Sequence, residues 1–203
     1  MGKFSSILIL LFGITYIGFT QTVSIGAQAW TTKNLDVSMF RNGDTIPKAN
    51  SKEEWIKAAE NKLPACCYYR YNAAYGTEFG MLYNWYAVND SRGLAPEGYH
   101  IPNDNEWTIL ENSFHGNAGK KMKSTSGWDE AGNGTNSKGF SCMPGGMCLS
   151  SGFYGLGVRG NWWSSSESDT KSAWARSLNY DSDKVNRHDQ SKEIGYSVRC
   201  LRD

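Results

Sequence analysis

The spacing of apolar and polar residues changes character along this chain. In "VSIGAQAWTTKNLD" (23–36) short apolar runs flank Gly26, and two short strands are predicted there. "SKEEWIKAAENKLP" (51–64) predicts a helix: Ser51 can cap it, Glu54 follows three residues later and Pro64 stops it. In "EFGMLYNWYAVND" (78–90), Phe79, Leu82, Tyr83, Tyr86 and Ala87 recur at helical spacing. A buried helix is predicted there, with a continuous buried strand as the rival. "APEGYHIPNDNEWTILENSF" (95–114) holds a third helix, capped by Asn103 with Glu106 in answer, and Trp107, Leu110 and Phe114 line one face. Residues 116–160 carry most of the glycines without a helical period, a long looped middle. From Trp162 onward the pattern is of strands: "AWARSLNY", "DKVNRH" and "IGYSVRCL". In the last, Ile194, Tyr196, Val198 and Cys200 alternate with Ser197, Arg199 and Leu201. Helices first and an antiparallel sheet last give an α+β class.

The first 22 residues, "MGKFSSILILLFGITYIGFTQT", change the compartment. Lys3 precedes an apolar run from Ile7 to Phe19, the layout of a secretory signal with a cut near Thr20–Gln21. The run is short of the roughly 20 apolar residues that a span needs, which disfavours an uncleaved anchor. The expected organisation is a signal peptide over 1–20 and one domain over 21–203. The mature chain is expected without a membrane span, secreted or at the cell surface. Charge adds an exclusion. With 21 basic and 20 acidic residues, the chain has no electrostatic footprint for nucleic acid or an anionic membrane. Eight Trp, eleven Tyr and 22 Gly fit short elements and many turns, with aromatic mass for a core or for stacking on a ligand.

Candidate chemistry is sparse. Five cysteines, Cys66, Cys67, Cys142, Cys148 and Cys200, permit disulfides in an exported chain and leave one thiol over. There is no C-x-x-C, and adjacent Cys66 and Cys67 suit neither a zinc site nor a redox pair. Ser164 to Ser166 lie in no G-x-S-x-G. Of the three histidines, His100 reads as structural, His115 follows a helix, and His188 in a polar turn is a contact candidate. Asp181 and Asp183 lack the glycine and glutamate of an EF-hand. Asp129, Glu130, Asn133 and Asn136 offer oxygens, yet a solvated turn is the better reading. No catalytic residue, metal site or cofactor is expected. Asn133-Gly134-Thr135 is a glycosylation sequon, meaningful only in a host that glycosylates there.

Several stretches together, "IGAQAWTTKNLDV", "LYNWYAVND", "GLAPEGYHIPNDNEW", "GFSCMPGG", "GNWWSSSE" and "GYSVRCLRD", resemble the Fibrobacter succinogenes major paralogous domain from about Val23 to Asp203. The resemblance implies an exported bacterial protein with a C-type-lectin-like fold: short helices on a small twisted antiparallel sheet with long loops. "HIPNDNEW" is similar to the "RLPTEAEW" segment of formylglycine-generating enzymes, and the end resembles the variable proteins of diversity-generating retroelements. Those enzymes need a close pair of copper-binding cysteines shortly before the final strand, and no cysteine lies between Gly160 and Ile194. The E-P-N or Q-P-D loop and the W-N-D strand of calcium-dependent lectins are absent too.

The resemblance implies a non-catalytic ligand-binding or display domain for an unidentified protein or glycan. An enzyme of the formylglycine-generating type and a structural surface component are the alternatives. "GNWWSSSE" is the strand entering the final sheet, where neighbours face opposite ways, so one tryptophan is expected in the core and Trp163 at the loop border. The family pattern suggests a Cys67–Cys200 disulfide near the domain's ends. The turn at Pro144-Gly145-Gly146 suggests Cys142–Cys148, leaving Cys66 free unless it exchanges roles with Cys67. The resemblance implies that the polar segment "SLNYDSDKVNRHDQS" corresponds to the variable, ligand-binding face of the retroelement proteins. Asn179, Tyr180, Asp181, Asn186, Arg187 and His188, with Trp163, are the expected ligand surface, and a solvated hairpin is the alternative.

Overall fold

A computed structural model describes residues 21–203; the signal expected over 1–20 lies outside the described residues. Two short strands flank Gly26, β1 (Thr22–Ile25) and β2 (Gln28–Thr31), with Val23 opposite Trp30. The first helix, α1 (Lys52–Glu60), begins where its cap predicts: the Ser51 hydroxyl accepts from the Glu54 amide at 3.2 Å, and the Glu54 carboxylate accepts from Asn50 N–H at 2.7 Å. It stops four residues before Pro64.

The helix predicted over 78–90 is broken. After the short strand β3 (Cys66–Cys67) and two 3-10 turns come α2 (Gly76–Phe79), β4 (Leu82–Tyr83) and α3 (Trp85–Val88). The break is at Gly80, whose φ of 71° and ψ of −166° are foreign to a helix. A Cβ there would lie 2.7 Å from the Leu35 carbonyl oxygen, so only glycine passes. Leu82 and Tyr83 then pair with Cys67 and Cys66, and the apolar spacing reflects burial from several sides.

The strand β5 (Tyr99–His100) leads into α4 (Asp104–Asn112), whose capping box of Asn103 and Glu106 is complete. Trp107, Leu110 and Phe114 are buried as their spacing predicts. The glycine-rich middle contains α5 (Ala118–Met122) and the hairpin β6 (Gly145–Leu149) and β7 (Gly152–Leu156). The last third forms β8 (Arg159–Glu167), β9 (Ser172–Asn179), β10 (Asn186–Ser191) and β11 (Leu201–Arg202). The architecture is α+β: short helices and small antiparallel sheets, in the orders β1-β2-β11-β5 and β10-β9-β8, with the pairs β3-β4 and β6-β7. No helix among the described residues is long and apolar enough to cross a membrane.

Residues 194–200 stitch these sheets together. Gly195 exchanges both backbone hydrogen bonds with Cys148, Tyr196 does so with Tyr83, and Ser197 binds Asn161 and Trp163. The predicted alternation holds. Tyr196, Val198 and Cys200 enter a cluster with Tyr83, Trp85 and Trp163, whereas Leu201 joins Trp30, Trp107 and Trp162. Arg199 is fully buried and donates to the carbonyls of Thr31, Phe140 and Ser141 and to Asn34 Oδ1, so its charge faces dipoles instead of an anion.

Two expectations are corrected here. Trp162 and Trp163 do face opposite ways, but both are core. β8 runs between two apolar clusters, and neither residue exceeds 1% exposure. Trp163 is therefore not at a loop border; its indole donates to the Tyr83 carbonyl at 2.9 Å. The expected disulfides are also not formed: all five cysteines are free and buried. Cys67 and Cys200 enter different clusters. The turn at Pro144-Gly145-Gly146 does not fold back on itself; it opens directly into extended β6, which carries Cys148 away from Cys142 and into the cluster of Cys67.

Candidate functional site

The sheet β10-β9-β8 has two unlike faces, set by the period of two. Register places Asn161 opposite Ser177 and Ser177 opposite Asn186, Arg159 opposite Asn179, and His188 opposite Ala175. These side chains share one face. The other carries Trp162, Arg176, Leu178 and Arg187 and packs on α4. There Arg176, buried to 1%, reaches Asp104 at 2.6 Å, the Glu111 carboxylate and the Thr108 hydroxyl at 3.0 Å.

The first face is sealed at Ala173, Ala175 and Trp163 by α3 and the stitching segment, then opens. The opening is a cleft of about 460 Å³. Its sheet wall is Arg159, Asn161, Ser177, Asn179, Asn186, His188 and Gln190; its other wall is Met147, Leu149, Ile194 and Tyr196. The Tyr196 ring lies 4.7 Å from Trp163 and 6.4 Å from His188, centroid to centroid. Burial raises Tyr196 to about 12, so its hydroxyl stays protonated at neutral pH. Burial holds His188 below its ordinary value, against a raising hydrogen bond with the Asn186 backbone. Among the described residues, Ser177, Asn179, Asn186 and Gln190 make no side-chain hydrogen bond within the protein, while Asn161 donates to the Gly146 carbonyl at 3.1 Å. Unpaired amides in a concave surface are what a polar ligand needs.

The residues expected at the ligand surface are therefore divided among four places. Asn179, Asn186 and His188 line the cleft. Arg187 is on the reverse face; its guanidinium holds Asp104 at 2.9–3.0 Å and lies 3.3 Å from the Trp174 ring centroid. Tyr180 and Asp181 line a different cleft of about 550 Å³, with Glu130 and Asp183. Beneath that loop the Lys123 ammonium donates to the carbonyls of Asn179, Tyr180 and Ser182 at 3.0–3.2 Å, acting as the loop's internal cation. Trp163 is in the core. Asp129 and Glu130 converge on no metal cluster among the described residues, and Asn133 and Asn136 accept from the amides of Trp128 and Ser141. Arg159, Asn161, Ser177, Gln190 and Tyr196 were missed. Three of these, Asn161, Ser177 and Gln190, were legible in principle, since they stand at i±2 from Trp163, Asn179 or His188 on alternating strands.

Ser164 to Ser166 prove to be architecture. The pairing of β8 with β9 shifts between Trp163 and Glu167. Within that bulge the Ser164 hydroxyl accepts from Ser166 N–H, the Ser164 carbonyl accepts from the Trp85 indole, and the Ser166 hydroxyl accepts from Asp104 N–H at the start of α4.

Fold and cleft together define an α+β domain whose terminal antiparallel sheet leaves one amide-lined face open beside a sealed core. The chain belongs to the Fibrobacter succinogenes major domain family, whose model matches residues 23–202. No curated protein matched the chain.

Proposed function

We propose that this protein is an exported, non-catalytic ligand-binding or display domain on a C-type-lectin-like scaffold, and that its ligand seats in the cleft of β8, β9 and β10. The observation that carries the reading is the concentration of uncommitted amide and hydroxyl groups (Ser177, Asn179, Asn186, Gln190) in one concave surface. Elsewhere in the fold, Asn34, Asn84, Arg176 and Arg199 are tied to backbone groups, the Trp162 indole or ion pairs. The thiols favour a non-catalytic reading. Burial pushes Cys66, Cys142 and Cys200 up to about 12 and Cys67 well above its ordinary value, which suppresses the thiolate that nucleophilic or metal chemistry uses. Export is supported by Lys3 and the Ile7–Phe19 run.

The test is a binding screen of the purified protein on arrays of glycans and surface proteins, followed by Asn179→Ala and Asn186→Ala. Each substitution is expected to weaken the selected ligand at least tenfold, about 1.4 kcal/mol, at an unchanged unfolding midpoint. Arg187→Ala is expected to act on stability, because its guanidinium serves Asp104 on the reverse face. A ligand that tolerates both cleft variants and is lost with Tyr180→Ala moves the site to the β9–β10 loop and rejects this reading.

A further inference from the structure

Arg159 gives the cleft a chemical preference. It is the one side chain of fixed charge lining the cleft, and no Asp or Glu lines it. Arg92, Arg176 and Arg187 each hold a carboxylate, whereas Arg159 has none among the described residues. Its charge is felt at the Tyr196 hydroxyl and at His188, so it acts on both walls of the cleft. Gly155, with a φ of +77°, leaves room beside the aliphatic stem: a Cβ there would stand 3.3 Å from Arg159 Cβ. An exposed arginine with a free guanidinium fork suits a planar carboxylate, which accepts both of its parallel N–H donors.

The remaining surface narrows the ligand further. The sheet wall offers amides, which donate and accept at once, as vicinal hydroxyls do. The facing wall of Met147, Leu149, Ile194 and the Tyr196 ring is apolar. Leu149 and Ile194 also line a second cleft of about 250 Å³, with Ser150, Ser151, Ser191, Trp55 and the carboxylate of Glu193. The Trp55 indole N–H has no acceptor among the described residues. Adjoining hollows, one edged by amides and the other by serine hydroxyls and the Glu193 carboxylate as hydroxyl acceptor, fit consecutive units of a polymer better than a single small acid.

On the reading that the cleft is the ligand site, we propose that it takes a uronic acid unit of an acidic saccharide. The carboxylate pairs with Arg159, the ring's C–H face rests on the apolar wall, and its hydroxyls meet Asn179, Asn186 and Gln190. A neighbouring unit extends past Leu149 and Ile194.

Calorimetry with the purified protein tests this. The probes are tetramers of galacturonate, glucuronate and mannuronate, the methyl ester of the galacturonate tetramer, maltotetraose, and a hexapeptide with a free C-terminal carboxylate. At least one acidic tetramer is expected to bind at least tenfold more tightly than the ester and maltotetraose. Arg159→Gln is expected to remove that margin, and Arg202→Gln, an equal charge change at an exposed side chain of β11, to leave it intact. Equal binding of tetramer and neutral analogue, unchanged binding by Arg159→Gln, or no binding of any acidic tetramer at millimolar concentration overturns the inference. Binding of the peptide without the saccharides overturns the sugar assignment. A different ligand from the array screen that is lost with Asn179→Ala overturns the uronate inference and leaves the cleft reading standing. A ligand indifferent to every cleft substitution overturns both.

Discussion

Trp107 is fully buried on α4, its ring 4.9 Å from Trp30 and 6.4 Å from Trp162, yet its indole N–H has no acceptor among the described residues. Its contribution is volume and dispersion. Trp107→Ala is expected to cost about 3–5 kcal/mol on urea unfolding, and Trp107→Phe clearly less, because it also removes an unsatisfied buried donor. Equal losses would mean that the indole N–H has a partner. His100 is the opposite case, a side chain defined by its polar partners. Burial pulls its pKa down, but hydrogen bonds to Asp203 at 2.7 Å and Glu106 at 3.0 Å outweigh this and raise it. A raised folded pKa stabilises fully below the ordinary histidine value of about 6.5, and that stabilisation is lost as pH rises through the folded value. The gap in unfolding midpoint between wild type and His100→Gln should therefore be larger at pH 5.5 than at pH 8.5. With the imidazole partly exposed, the gap is small, well under 1 kcal/mol after screening. A gap that widens with pH would reverse the assignment.

Elements are held in this fold by local signals where those are strong and by neighbours where they are not. The caps of α1 and α4 are read from Ser51 and from the pair Asn103 and Glu106, because a cap needs only residues within one turn. Residues 78–90 defeated the same logic: burial from several sides mimics an amphipathic period, and the conformation was decided by Gly80 against the Leu35 carbonyl, 45 residues away in sequence. The cysteines follow the same rule. The family resemblance suggested joining Cys67 to Cys200, but a bridge depends on which clusters the strands enter. Cys67 and Cys148 pack in one cluster with Trp55, Tyr69 and Leu82. Peptide mapping of the oxidised protein without reduction is therefore expected to yield Cys67–Cys148, tying β3 to β6. Recovery of Cys67–Cys200 or Cys142–Cys148 would show that the clusters rearrange.

For the whole molecule, export is the coarsest prediction: mass spectrometry of the natively produced protein should find a mature start near Gln21, and an intact Met1 would refute it. Much of the α+β class, the capped helices, the burial of Trp107, Leu110 and Phe114, and the alternation through Tyr196, Val198 and Cys200 were determined by the sequence itself. Each depends on spacing within a few residues, where backbone geometry leaves little choice. The family was legible as well, since six short motifs in order carry it even though none does alone. The site was legible only in part. Its segment was recognisable as polar and strand-flanked, and Asn179, Asn186 and His188 do meet in the cleft. Sequence neighbours Arg187 and His188 were grouped together although a strand sends them to opposite faces, one onto Asp104 and the other towards Tyr196. Which face stays open was decided by tertiary structure alone. α4 covers one side of the sheet, α3 and residues 194–200 seal half of the other, and only the assembled packing leaves Arg159, Asn179 and Asn186 facing solvent together. No local pattern encodes that, because burial of a strand face is a property of what lands on it.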